Sequence, residues 1–400
     1  MGFRKKIYVV AGATSLFFGP GRIEFDASKP MPPLESYLKA TTEGTLKQIP
    51  QALLDEGIIG SFMSAKFLNQ ANIPGFLPFM VPSLEGKPCT GVEGACGTGG
   101  RAIAVGMRSI LSDLADTVFV AGFEMQNGVK AVYGADILAG ASYYQGQRKS
   151  GHAFFFPGIF AKRAGAYFER YGKDLTRQAL AKWYEQAIVN ARRHPLAQEY
   201  HNRTENLLNL GMTPPNPEQF LAHLNLYDCS KVTDGAASLV LASEEGLKKL
   251  GILKENAVEI VALGEAEGDI TKKEEEETVL KQTKIAVEKA LKDSQLTPQD
   301  IGMLEVHDCF SITGLLMLEA IGIANPGKGP EYVLQGSPIS INVTGGLIGF
   351  GHPTGASGIR MLVDLQQNLP LSSKSPFGLM ISMGGDDKTV TAIVVKRVLI

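Results

Sequence analysis

Apolar and polar positions alternate along this chain in a small number of rhythms. Lys6 to Ala11 is a short apolar run that predicts a first strand, and Leu34 to Gln51 predicts a helical region that closes near Pro50. Gly57 to Met63 predicts the next strand. Pro88 to Val92 then reads as a strand and Thr98 to Leu114 as a helix, with apolar residues at Ile103, Val105, Met107, Ile110 and Leu111. Thr117 to Phe123 follows as a strand, and together these make a β-α-β unit of the parallel-sheet kind. From Asn127 to Tyr227 the pattern changes: aromatic residues, Gly and Pro mix with helix-like pieces such as Leu175 to Arg193. This stretch reads as an inserted helical subdomain or loop domain, with an ordinary helical connection as the alternative.

After Lys231 the strand rhythm returns at Ala237 to Ala242 and Val258 to Leu263. A helix over Glu277 to Lys292, a strand over Gly302 to Val306 and a helix over Ile312 to Ile321 come next. A glycine-rich stretch, Gly345 to Gly358, leads into a helix through Leu369, and strands at Phe377 to Ser382 and Val390 to Val395 close the pattern. The charged run Lys272 to Glu277 reads as a solvated helix start. The two halves share one order: glycine-rich turn, helix, strand. If they are a duplication packed face to face, Cys96 and His352 hold equivalent helix starts and meet at the seam.

Composition narrows the classes of function. The 400 residues are 44% hydrophobic and 20% charged, which describes a globular chain with a large core and two or three domains. A net charge of -2 with scattered Lys and Arg lacks the basic excess that nucleic acid or an anionic membrane surface demands. No stretch approaches the roughly 20 apolar residues of a bilayer span. Cys89, Cys96, Cys229 and Cys309 show no zinc-type spacing and follow no secretion signal, so reduced thiols are expected. The expected location is cytoplasmic, with a mitochondrial or peroxisomal matrix as the alternative.

Three stretches carry candidate chemistry. Cys96 sits among small residues in Gly91 to Gly106, where a strand-like segment gives way to a helix, so the helix N-terminus is expected to favour its thiolate. The competing reading is a small buried hydrophobe. In Gly351-His352-Pro353-Thr354-Gly355-Ala356-Ser357-Gly358 an imidazole precedes a helix start, where it is placed either to take a proton from Cys96 or to cap the helix. Glu305-Val306-His307-Asp308-Cys309-Phe310 ends a strand, where open α/β sheets place their ligands. His307 and Cys309 share a face if the strand runs on to Phe310, leaving Asp308 on the other side. A structural zinc site needs four ligands, and no fourth is evident here. Finally, Ile381-Ser382-Met383-Gly384-Gly385-Asp386-Asp387 ends a strand in a glycine turn, either as a plain hairpin or with backbone N–H groups aimed at an oxyanion. His152, His194, His201 and His223 lack partner spacing and read as surface or packing residues.

These motifs, in this order, resemble the thiolase superfamily. His307-Asp308-Cys309-Phe310 is similar to the tetrad of the sterol carrier protein type of thiolase, and the resemblance covers essentially the whole chain, including the re-entry segment Thr233-Asp234-Gly235-Ala236-Ala237. It implies a five-layered α-β-α-β-α fold made of two duplicated βαβαβαββ halves. Residues 1–126 and 228–256 would form the N-terminal core domain, 127–227 a loop domain that helps bind coenzyme A, and 257–400 the C-terminal core domain. The implied activity is thiolytic cleavage of 3-ketoacyl-CoA in lipid and fatty acid metabolism, or the reverse Claisen condensation, with coenzyme A as substrate, no cofactor and a homodimeric or homotetrameric assembly.

Residue by residue, Cys96 would be acylated, His352 would activate it and His307 would hold the thioester oxygen. The backbone of Cys96 with that of Gly384 or Gly385 would form the other oxyanion site. Ser382 stands where common thiolases carry a second cysteine, so the acid-base role falls to Cys309. The chain closes soon after the turn, and no fused sterol carrier domain is expected. Two other readings compete: a ketoacyl-synthase-like condensing enzyme using Cys96, His307 and His352, and a catalytically weakened acyl-CoA or lipid-binding homologue.

Overall fold

In the computed structural model, which describes residues 3–369 and 375–398, all ten strands join one hydrogen-bonded ladder ordered β3-β2-β4-β5-β1-β6-β10-β9-β7-β8. The first five are β1 (Ile7–Thr14), β2 (Glu56–Gly60), β3 (Cys89–Val92), β4 (Thr117–Glu124) and β5 (Gly235–Ala242). The second five are β6 (Val258–Glu267), β7 (Ile301–Val306), β8 (Ser340–Ile341), β9 (Phe377–Gly384) and β10 (Thr389–Arg397). Read from its own edge inward, the second set runs β8-β7-β9-β10-β6, the same order as β3-β2-β4-β5-β1. Orientation repeats as well: β2 is parallel to β3 and β4 as β7 is to β8 and β9, while β5 and β10 run antiparallel to their neighbours. The halves are stitched at β1–β6 by the pairs Ile7↔Ile260, Tyr8↔Glu259 and Val9↔Val258. The duplication expected from the sequence order is therefore present in the topology.

Helices complete the layers. On the outside, α1 (Leu34–Leu46) covers β1 and β5. The central layer begins with α2 (Thr98–Leu111), and the 127–227 stretch supplies α3 (Ala131–Leu138), α4 (Phe155–Tyr171) and α5 (Lys173–Ala191) without a strand among its described residues. In the second half α6 (Lys281–Ser294) covers β6 and β10, α7 (Ser311–Ile321) follows β7, and α8 (Thr354–Asn368) returns to the centre against α2. The resulting arrangement is α-β-α-β-α. Every residue of β4 is buried, as a sheet covered on both faces requires, and burying Phe119 or Phe123 there contributes about 1.5–3 kcal/mol each. Close approach of the central helices depends on glycine: a Cβ on Gly99 would lie 2.7 Å from the backbone N of Ile359 and 2.8 Å from that of Gly358.

Several boundaries differ from expectation. The helix expected from Glu277 begins at Lys281, and Lys272 to Glu277 is irregular backbone rather than a solvated helix start. The reason is tertiary. Glu274 pairs with Lys388, Glu276 with Arg170 and Glu277 with Lys162, and the first turn of α6 is capped from elsewhere in the chain by Asp387. The strand expected over Gly57 to Met63 stops at Gly60, because Ser61, Phe62 and Met63 bend to donate hydrogen bonds to the Glu124 carboxylate. The helix expected to reach Leu114 ends at Leu111, shortly before Asp113 takes a left-handed conformation (φ 64°). Strand β8, with two residues, is too short to leave a periodic signal.

Candidate active site

The helix starts of α2 and α8 do converge. Cys96, His307, Cys309, His352 and Gly385 line one cavity of about 160 Å³, whose other walls include Leu138, Phe154, Phe156, Phe160 and Phe310. Its lining is largely apolar, as ligand sites usually are.

Cys96 sits in a tight 3-10 turn, Ala95–Gly97, immediately before α2. Ala95 has φ 53°, a left-handed conformation that costs a non-glycine residue strain, and the surrounding bonds hold it there. Thr98 Oγ1 donates to the Ala95 carbonyl at 2.6 Å and accepts from Gly94 N at 2.9 Å, while Glu93 accepts from Ala95 N at 2.5 Å. The sulfur faces the Gly385 N–H and its own backbone N–H, and both favour a thiolate. Desolvation outweighs them: burial, then the Glu124 and Glu93 charges, push the thiol up to about 12. The expectation that the helix start would favour the thiolate is thus corrected. Removing water from around the sulfur costs more than the dipole returns, so Cys96 rests as a thiol and needs a base.

His352 lines the same cavity as Cys96. Its Nδ1 lies 2.7 Å from Ser357 Oγ, which in turn donates to the Pro353 carbonyl at 2.9 Å. Its backbone N–H donates to Thr233 Oγ1 at 2.9 Å, and its Nε2 has no hydrogen-bond partner among the described residues. Burial, reinforced by His307 and Arg360, holds the imidazole well below its usual range, so it is neutral. Glu124 anchors the neighbourhood. It accepts from Thr354 Oγ1 at 2.8 Å and from Ser61 Oγ at 2.9 Å, tying the start of α8 to the ends of β2 and β4.

His307 stacks edge-on to His352 with ring centroids 5.0 Å apart, and neither of its ring nitrogens has a partner among the described residues. Burial and the Arg360 charge push it down to about 3. Strand β7 ends at Val306, so His307 and Cys309 are brought together by a turn rather than by strand alternation, which corrects the shared-face argument. Asp308 shapes that turn: its carboxylate accepts from Leu347 N at 2.6 Å and from Trp183 Nε1 at 2.9 Å. The Cys309 thiol is raised well above 9 by burial and by Cys96, and its sulfur lies 3.9 Å from Thr313 Oγ1.

The glycine turn is both a hairpin and a lining of the site. It joins β9 to β10, and Gly385 (φ 66°) lines the cavity while Gly384 does not. A Cβ on Gly384 would lie 2.3 Å from the Gly94 carbonyl, which places Gly384 behind the Cys96 turn. Ser382 also lies outside the cavity. It is fully buried between the central helices, where a Cβ on Gly358 would sit 2.7 Å from its Oγ. Sequence reasoning missed the aromatic wall, although the run Phe154-Phe155-Phe156 was a visible signal; it gave Ser357 no role of its own and missed Glu124 and Arg163. Among the described residues, no group of three or more His, Cys, Asp or Glu is placed to hold a metal ion.

Comparison with known proteins bears on the fold and the family. The family described as "Thiolase C-terminal domain-like" matches residues 264–374. An acetyl-CoA acetyltransferase of Methanocaldococcus jannaschii is 30% identical over 84% of this chain and 87% of that protein. Sterol carrier protein 2 of Homo sapiens is 29% identical over 90% of this chain and 65% of its own length. Among solved structures, human mitochondrial 3-ketoacyl-CoA thiolase in complex with CoA superposes with a TM-score of 0.72 at 17% identity, covering 100% of this chain and 99% of that one. With the duplicated sheet and an acetyl-CoA acetyltransferase 30% identical over most of both chains, this chain belongs to the thiolase superfamily.

Proposed function

We propose that this chain is an acyl-CoA thiolase that transfers acyl groups through Cys96. The observation that carries the reading is the meeting of Cys96, Cys309, His307 and His352 in one largely apolar cavity, where burial raises both thiols and lowers both imidazoles. Nucleophilic catalysis of this kind needs a base beside the nucleophile and a separate acid for the carbon leaving group.

In the degradative direction, His352 Nε2 takes the Cys96 proton as the sulfur attacks the 3-keto carbon of a 3-ketoacyl-CoA. The Gly385 and Cys96 N–H groups receive the forming oxyanion. The bond between C2 and C3 breaks, and His307 donates a hydrogen bond to the thioester oxygen of the departing enolate. Cys309 delivers its proton to C2, which releases acetyl-CoA and leaves an acylated Cys96 with a Cys309 thiolate. A coenzyme A thiol then gives its proton to Cys309 and attacks the acyl-enzyme; His352 returns its proton to Cys96. Every proton is accounted for, and the reverse sequence is a Claisen condensation.

The 127–227 stretch acts in this reading as the loop domain that closes over coenzyme A, supported by the contribution of Phe154, Phe156 and Phe160 to the cavity wall. Assembly as a homodimer or homotetramer belongs to the same proposal, supported by the open edge of β3, where Thr90 and Gly91 are exposed. Among the described residues, no helix is long and apolar enough to cross a membrane. The test is thiolysis of acetoacetyl-CoA together with intact-mass analysis after mixing with acetyl-CoA. Activity and an added acetyl mass on the wild type, both absent in Cys96→Ala, are expected; full thiolysis by Cys96→Ala would overturn the proposal.

A further inference from the structure

The two residues after Gly385 carry carboxylates, Asp386 and Asp387, directly behind an N–H that faces Cys96. Neither lines the cavity. Asp387 is fully buried and accepts from Gln282 N at 2.7 Å, Thr283 N at 2.9 Å and Thr283 Oγ1 at 2.7 Å, at the first turn of α6. Asp386 points the other way and accepts from Arg163 Nε at 2.6 Å. Arg163 is itself fully buried, and its Nη1 donates to the carbonyls of Glu277 at 2.7 Å and Val279 at 3.2 Å. The turn is thus held from both sides, although Gly385 and Asp387 both occupy left-handed conformations, φ 66° and 54°.

Arg163 belongs to α4, the same helix that lends Phe156 and Phe160 to the cavity wall. Positions 156, 160 and 163 fall on one helical face. Substrate packed against the two phenylalanines therefore presses on the element that grips the turn. Charge matters as well as geometry: Asp386 acts electrostatically on Cys309, so its negative charge reaches the reacting groups, and the guanidinium offsets it. Without Arg163 a partly buried carboxylate would face a site built to stabilise a developing anion.

We infer that Arg163 and Asp386 are positioning residues for the oxyanion donor, their ion pair holding the Gly385 N–H against Cys96 and tying that alignment to the seating of α4 on the bound acyl thioester. The inference rests on the acyl-transfer reading above and deepens it.

The test uses the full chain and compares wild type, Arg163→Gln, Asp386→Asn and the double variant in two assays: acetoacetyl-CoA thiolysis and the pH profile of Cys96 alkylation by iodoacetamide. In Arg163→Gln, kcat falls about 100-fold, the size of a lost oxyanion donor, while KM stays within about threefold. Neutralising the stranded carboxylate in the double variant restores about tenfold of that loss. Alkylation in Arg163→Gln slows about tenfold for each unit by which the unpaired carboxylate raises the Cys96 thiol, and the double variant reverses this. A wild-type kcat in Arg163→Gln, or a double variant no better than Arg163→Gln in either assay, overturns the inference. Should Arg163→Gln not fold, the near-isosteric Asp386→Asn carries the test, with an expected tenfold loss of kcat at unchanged KM; an unchanged kcat there also overturns it. A wild-type chain inert toward acetoacetyl-CoA would instead sink the thiolase reading, and the alkylation profiles would then decide the positioning role alone.

Discussion

Ser357 decides which nitrogen of His352 is basic. The hydroxyl donates its single proton to the Pro353 carbonyl at 2.9 Å and so faces His352 Nδ1, 2.7 Å away, as an acceptor. This arrangement places the imidazole proton on Nδ1 and leaves Nε2 its lone pair, the atom that takes the Cys96 proton in the proposed mechanism.

Replacing Ser357 with Ala removes that tautomer control without emptying the cavity. We expect kcat for thiolysis to fall about 10- to 100-fold, within the range of general-base effects, with little change in KM. Steady-state kinetics with acetoacetyl-CoA checks this; an unchanged kcat would show that the tautomer is set elsewhere.

In the proposed mechanism Cys309 exchanges protons with the carbon next to the thioester, a task separate from acylating Cys96. Cys309→Ala should therefore still gain an acetyl mass from acetyl-CoA while losing deuterium exchange into the acetyl methyl, and its thiolysis rate should drop about 10²- to 10⁴-fold. Mass spectrometry and proton NMR in deuterated buffer separate the two half-reactions.

The raised Cys96 thiol predicts an unusual alkylation profile. With the thiol pushed up to about 12, the rate of iodoacetamide modification should keep rising through pH 10 without a plateau. A plateau below pH 8 would mean that the thiolate is stabilised in solution after all.

His307 links stability to acidity. Its folded pKa is depressed to about 3, below the roughly 6.5 of an unfolded histidine, so as pH falls through 6.5 the unfolded chain binds a proton that the native site refuses. Stability is lost downward from 6.5, by about 2 kcal/mol at pH 5 from this one group. His307→Asn escapes that loss. Its stability relative to wild type should rise between pH 7.5 and pH 5 in urea melts, and a constant difference would count against a buried neutral imidazole.

The contact between the central helices predicts a steric cost. Gly99→Ala puts a methyl 2.7 Å from the Ile359 backbone N, which cannot move without shifting α8, so a loss of about 1–3 kcal/mol is expected in the same melts.

Much of this architecture was legible along the chain because its signals are local. The β4 apolar run, the periodicity of α2 and the glycine-rich approaches to Cys96 and His352 each report the environment of a single element. The repeated order of those elements was enough to anticipate a duplicated fold and the meeting of the two helix starts. Helix α6 shows the limit: its start is capped by Asp387, 105 residues from Gln282, and no local pattern contains that partner.

Residue types and their order therefore determined the candidate chemistry by themselves: two cysteines, two histidines and a glycine turn. Tertiary structure alone decided their surroundings and their grouping. Burial made Cys96 a thiol despite its helix start, a turn rather than a strand brought His307 beside Cys309, and packing between Gly100 and Gly358 removed Ser382 from the cavity. The physical reason is common to all three. Desolvation and close packing depend on what surrounds a residue in space, and those surroundings come from segments far apart in the chain.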